Sequence, residues 1–113
     1  MRTLNDYFIT AEIEDVSTAS STFVAVPDGG KIVKILSANQ ATITGTAALS
    51  FEIGGTAVTG GGISIVASGS AGAIDTASPT ALNTVTEGGS IEIITDGGSA
   101  NTSKAVVTFV IRR

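Results

Sequence analysis

Paired glycines set the fold class of this chain. They stand at Gly29-Gly30, Gly54-Gly55, Gly60-Gly61-Gly62, Gly88-Gly89 and Gly97-Gly98, and between them lie short runs rich in Val, Ile and Thr. Glycine pairs and dense β-branching both weaken helix interiors, whereas strands favour the branched residues and turns favour the glycines. No segment places apolar residues at helical spacing. Several runs alternate instead. Tyr7, Ile9, Ala11 and Ile13 share one face of a run, and Leu49, Phe51 and Ile53 oppose Ser50 and Glu52. Ile91 and Ile93 point inward in a third run. Further strands are expected over residues 22–26, 31–36, 41–44, 56–59, 63–67, 82–86 and 104–113. Residues 23–36 read as a hairpin turned at Asp28-Gly29-Gly30, and Gly54-Gly55 turns a second hairpin. Residues 68–81 read as a small polar loop with Ile74 as its one large apolar residue and Pro79 at an edge or turn. Roughly eight or nine strands at this spacing predict a single all-β domain over residues 7–113, an antiparallel β-sandwich or jelly roll. Residues 1–6 form an N-terminal arm expected to order only against a partner.

Composition narrows the function. Aromatic residues make up only 4 % of the 113 residues, so the core is built from Val, Ile, Leu and Ala. Charged residues are 14 %, well below the usual quarter, which leaves a surface of Thr, Ser, Gly and Asn. Ordering such short side chains against a partner costs little entropy. The net charge is −4 with six cationic residues, and the only adjacent pair is Arg112-Arg113. Nucleic acid and anionic membrane are therefore poor partners. No apolar run approaches the ~20 residues of a spanning helix. The N-terminus lacks the apolar stretch of a signal peptide, so synthesis in the cytoplasm is expected. With no Cys and no His there are no disulfides and no thiol or imidazole nucleophile systems. Zinc and iron sites that use those ligands are excluded, and no cofactor is expected.

The acidic residues offer two chemical alternatives. Glu87, Glu92 and Asp96 lie close in sequence, but alternation turns Glu92 to solvent and the other two sit in turns. A glycosidase needs two carboxylates across a cleft, so solvated turn residues are the better reading and no enzyme is expected. Asp28, Asp75 and Asp96 could offer calcium oxygens, but the dense spacing of a dedicated loop is missing and Asp before Gly more often makes an Asx turn. The stretch from Gly54 to Gly62 lacks the Gly-Lys-Ser/Thr ending of a phosphate loop. Lys31 and Lys34 read as edge-strand gatekeepers or as contacts to an acidic partner.

The last strand is the most informative. Ala105, Val107, Phe109 and Ile111 line one side, and Val106, Thr108 and Val110 line the other. One side of a sandwich strand faces the core, so the second apolar side needs its own cover. The cover is either a neighbouring copy of the chain or the segment 7–13 or a loop. Val106, Thr108, Val110 and Phe8 are thus the candidate interface residues. Of the aromatic residues Tyr7, Phe8, Phe23, Phe51 and Phe109, alternation places most inward, with Phe8 the exception.

Four stretches carry a family resemblance. They are Phe23-Val24-Ala25-Val26-Pro27-Asp28-Gly29-Gly30-Lys31-Ile32-Val33-Lys34, Ile53-Gly54-Gly55-Thr56-Ala57-Val58-Thr59-Gly60-Gly61, Ser68-Gly69-Ser70-Ala71-Gly72-Ala73-Ile74-Asp75-Thr76-Ala77-Ser78-Pro79-Thr80, and Gly88-Gly89-Ser90-Ile91-Glu92-Ile93-Ile94-Thr95-Asp96-Gly97-Gly98-Ser99. From about residue 13 onward the chain resembles small structural proteins of tailed bacteriophages, of the head decoration (cement) or head-fiber type. The resemblance implies a virion protein on the outer surface of the capsid, bound to the major capsid protein as a homo-oligomer, often a trimer, and adding cohesion between capsomers. It implies no active-site residues. The alternative within the same resemblance is a receptor- or carbohydrate-binding module of a virion fiber.

Overall fold

The computed structural model describes residues 5–66 and 70–113, and among them are ten strands and no helix. The strands are β1 (Asp6–Ile13), β2 (Ser20–Ala25), β3 (Gly30–Asn39), β4 (Ala47–Ile53), β5 (Thr56–Ala57), β6 (Ile63–Ile65), β7 (Ile74–Ala77), β8 (Thr84–Val85), β9 (Ser90–Thr95) and β10 (Ala105–Arg112). They build two five-stranded antiparallel sheets. One runs β1-β10-β3-β7 with β8 also on β3, and is called the β10 sheet below. The other runs β2-β9-β4-β5 with β6 also on β4, and is called the β9 sheet. The chain thus folds as the expected single-domain, all-β sandwich, and it changes sheet after β1, β2, β3, β6, β8 and β9.

The alternating residues face one another between the sheets. Ile9, Ile13, Ile32, Ile35, Val107, Phe109 and Ile111 come from the β10 sheet, and Leu49, Phe51, Ile63, Ile65, Ile91 and Ile93 from the β9 sheet. Each such side chain taken fully from water contributes roughly 1.5–3 kcal/mol. Phe51 and Phe109 meet edge to face across the two sheets, with ring centroids 5.5 Å apart and planes at 88°. One end of the sandwich is closed by short polar residues. The Ser103 hydroxyl donates to Asn39 Oδ1 at 3.2 Å, and the Asn101 side chain accepts from Thr44 N at 2.7 Å and donates to Thr42 O at 2.9 Å.

The turn at Gly54-Gly55 forms as the sequence predicts, with φ of 59° and 82° joining β4 to β5. The hairpin expected over residues 23–36 does not form. β2 pairs with β9 and β3 with β10, so the segment between them crosses from one sheet to the other. Val26 holds to the β9 side through Val26 N to Gly89 O and Gly88 N to Val26 O, both 2.9 Å. Pro27 then removes the next donor a ladder would need. Gly30, at φ 150°, passes so close to β10 that a Cβ there would lie 2.7 Å from Arg112 O.

Two shorter elements also differ from the sequence reading. Residues 41–44 form no strand, and Ile43 is buried from a loop. Ile74–Ala77 is a strand on β3 where a loop is expected. Of the loop over 68–81 and the strand over 63–67, residues 67–69 lie outside the described residues, as do residues 1–4 of the expected arm. Asp6 is the first residue of β1, and Asn5 O accepts from Arg113 N at 3.4 Å.

Candidate partner interface

β10 lies inside its sheet, between β1 and β3, so both of its sides are broad. Its outward residues form cross-strand rows with those of the flanking strands. Phe8, Val110 and Lys34 make one row, and Thr10, Thr108, Leu36 and Thr76 the next. Glu12, Val106, Ala38 and Ile74 make the third. The structure therefore brings Val106, Thr108, Val110 and Phe8 onto one surface. Phe8 is 47 % and Ile74 57 % exposed, whereas Val110 is closed to 9 % by its lateral neighbours. The segment 7–13 does not cover this surface. It forms β1, which extends the sheet sideways and turns Ile9 and Ile13 into the core.

A bulge shapes the cationic side of the surface. Val110 pairs with Lys34 and Ile111 with Ile32, so Val33 is an extra residue in β3. Lys31 and Lys34 consequently both point outward while Ile32 and Ile35 are both buried. β3 runs between β10 and the pair β7 and β8. The lysines thus project from the face of an interior strand, and the gatekeeper reading, which requires an edge, does not hold.

The terminal arginines are used within the chain. Arg112 makes two hydrogen bonds to the Asp6 carboxylate, 2.9 and 3.0 Å long. These bonds raise the Arg112 guanidinium above its ordinary pKa. Arg113 pairs with Asp28 at 2.8 Å and lies over the Tyr7 ring, 5.0 Å from its centroid. The Tyr7 hydroxyl donates to Asp28 O, tying β1, the inter-sheet crossing and the end of β10 together. Burial, then the Asp28 charge, raises the Tyr7 pKa. A shallow cleft of 380 Å³ lined by Gly30, Lys31, Val33, Thr84, Arg112 and Arg113 lies alongside.

The acidic residues do not converge as a cleft would require. Glu87 sits in the turn before β9, and Asp96 follows the far end of that strand. Asp96 Oδ1 accepts the backbone amides of Ala48 and Gly98 at 3.0 and 2.9 Å. Asp28 Oδ1 accepts the Gly29 amide at 2.8 Å, and Asp75 stands on β7. Among the described residues, no group of three or more acidic, His or Cys side chains could hold a metal ion. One pairing escapes the sequence reading: Glu92 and Glu52 stand directly opposite each other on the outer face of the β9 sheet.

The same face shows an aromatic residue that alternation places inward. Phe23 is 66 % exposed on the edge strand β2, opposite Glu92. The run 22–26 alternates with both Phe23 and Val24 available as the buried partner, and the fold buries Val24 more deeply. Only the pairing with β9 settles the choice. The strand that carries Ile74 is likewise hidden, because Ile74–Ala77 is too short to show a period.

No protein-family model matches the chain, and no curated protein matches it in sequence. Among solved structures, the fold is similar to a chain from the acidic stable capsid structure of Helicobacter pylori bacteriophage KHP30. The two are 13 % identical with a TM-score of 0.59, over 96 % of this chain and 87 % of that one. The P-domain of Macrobrachium rosenbergii nodavirus overlaps at a TM-score of 0.35 with 7 % identity, over 95 % of this chain and 92 % of that one. A chain of infectious bursal disease virus strain Gx overlaps at 0.32 with 17 % identity, over 96 % of this chain and 30 % of that one. The KHP30 likeness is one of fold, and the two weaker overlaps bear no argument.

Proposed function

We propose that this chain is a virion structural protein of a tailed bacteriophage, one that decorates the outer surface of the head and binds the major capsid protein across capsomer boundaries. The observation that carries the reading is the outer face of the β10 sheet, an apolar stripe beside two lysines that no described element covers. A side finished this way gains by seating on other protein. The near full-length likeness of fold to a chain of a phage capsid structure supports the same role. So does the resemblance of the sequence to small head decoration proteins. The reading includes self-association, for which the resemblance implies a trimer. Many copies act on one shell, so each contact can be weak. Such a role needs no catalytic centre, and we read the chain as non-enzymatic.

Particles made without this chain should break at lower temperature or milder osmotic shock than complete particles, and adding the chain back should restore them. Equal robustness would remove the clamp, and absence of the chain from purified virions would remove the location. One observation favours a second reading, a glycan- or receptor-binding tip. Phe23 presents an exposed ring beside Glu92 and Glu52, the pairing of apolar face and acceptors that sugars use. Binding on a glycan array that is lost in Phe23→Ala would favour that reading over the clamp.

A further inference from the structure

Two exposed patches of this molecule match each other in character and differ in sign. The first is on the β10 sheet, where the half-buried Leu36 and Val106 and the nearly closed Val110 form an apolar strip, with the exposed Lys34 in the same row as Val110. Lys31 stands beyond it on the same face. The second is on the β9 sheet, where Phe23, Glu92 and Glu52 form one cross-strand row over β2, β9 and β4. Like charges placed opposite each other on a sheet are unfavourable, so the Glu92–Glu52 pair costs stability unless something cationic meets it.

None of the chain's described residues supplies that cation. Of its described cationic residues, Lys104 is 3.7 Å from Glu12, Arg112 holds Asp6 and Arg113 holds Asp28. Lys31 and Lys34 make no ion pair, and neither do Glu52 and Glu92, among the described residues. The two uncompensated pairs sit on the outer faces of different sheets, where one molecule cannot join them.

We propose that a second copy of this chain occupies the β10-sheet face. Phe23 of one copy lies on the strip of Val110, Leu36 and Val106 of the next, while Glu92 and Glu52 close on Lys34 with Lys31 alongside. The apolar contact supplies attraction, and the charges fix which surface meets which. The joined patches are different, so the contact is heterologous. Each copy offers one patch forward and one back, and the assembly closes into a ring when the rotation per step allows. This inference rests on the self-association contained in the proposed function, and it is independent of the capsid.

The test is sedimentation equilibrium of the full chain across protein and salt concentrations. The expected result is an oligomer that loosens as salt rises, because exposed charges are screened. Lys34→Glu alone, and Glu52→Lys with Glu92→Lys, should each raise the dissociation constant about tenfold or more by setting like charges together. All three substitutions in one chain should recover part of the assembly, since position 34 again meets charges of opposite sign, while the unchanged Lys31 alongside does not. Circular dichroism confirms that each variant is folded. A monomer at every soluble concentration overturns the inference. So does an oligomer indifferent to these charges, or a triple variant as weak as its parents. A chain that assembles this way but is absent from virions would remove the capsid role and leave this contact standing. A lone subunit found on virions would do the reverse.

Discussion

The two sides of β10 are made of the same kinds of residue and end in different surroundings. Ala105, Val107, Phe109 and Ile111 are wholly buried against the β9 sheet. Val106, Thr108 and Val110 lie one residue away along the same strand, flanked by Phe8, Leu36 and Lys34 but roofed by no described element. Alternation tells which residues share a side of a strand. It does not tell what closes over that side, because closure depends on strands distant in sequence. In this chain one apolar side serves the fold, and the other is the side for which we propose association.

The sharpest way to break that comparison is to truncate one residue on each side. Phe109→Ala removes the edge-to-face partner of Phe51 from the centre of the core and should destabilise the domain by about 3–5 kcal/mol. Val106→Thr keeps the branched shape on the outer side and should change stability by less than about 1 kcal/mol. Its effect should appear as weaker self-association. Chemical denaturation of both variants at a concentration where the chain is monomeric makes the measurement. If Val106→Thr costs as much as Phe109→Ala, the outer side is core and the comparison fails.

Titration gives a smaller effect that separates the rim from the core. No acid or base is among the described core residues, and the closed carboxylate near the rim is Asp6, its side chain 1 % exposed and paired with Arg112. Asp15, in the connection from β1 to β2, accepts the Ser17 hydroxyl at 2.6 Å, the Ser17 amide at 2.9 Å and the Thr18 hydroxyl at 3.2 Å. The Ser17 hydroxyl, followed by the Ser17 amide, holds its pKa below the ordinary 3.8. A depressed folded-state pKa stabilises the fold fully above the unfolded value. That contribution is lost as pH falls from about 3.8 through the lowered folded value. Stability measured against pH should therefore drop in that range, and Asp15→Asn should flatten part of the drop. An unchanged acid limb in Asp15→Asn would assign the sensitivity to other carboxylates.

The sequence exposes what is local and hides what is paired at a distance. The inward sets of β1, β4, β9 and β10 and the turn at Gly54-Gly55 follow from alternation and glycine placement alone. The crossing after β2 does not, because Asp28-Gly29-Gly30 has turn chemistry whether the next strand returns beside β2 or leaves for the other sheet. The candidate interface follows the same division. Val106, Thr108 and Val110 were legible as a second apolar side, and Phe8 as its neighbour. The bulge at Val33, which brings Lys31 and Lys34 to one face, is set by the register with β10. The Glu52–Glu92 row and the exposure of Phe23 likewise depend on which strands pair, and no residue type or spacing encodes that choice.

The smallest effect tests whether the inner side is as purely apolar as the comparison requires. Ser37 pairs with Val107 across β3 and β10 and is almost fully buried on the core side. Its hydroxyl has no hydrogen-bond partner among the described residues. A buried, unsatisfied hydroxyl costs about 1–3 kcal/mol relative to its hydration in the unfolded chain. Ser37→Ala removes that cost and loses only the dispersion contacts of one oxygen, so the net change should be a gain of up to about 1 kcal/mol. The denaturation midpoint should rise with the slope unchanged, and self-association should not move, because Ser37 is on the opposite side of the strand from Leu36 and Ala38. A loss of stability in Ser37→Ala would mean that the hydroxyl is bonded in solution and that the inner side of this sheet carries a second polar contact besides the one between Ser103 and Asn39.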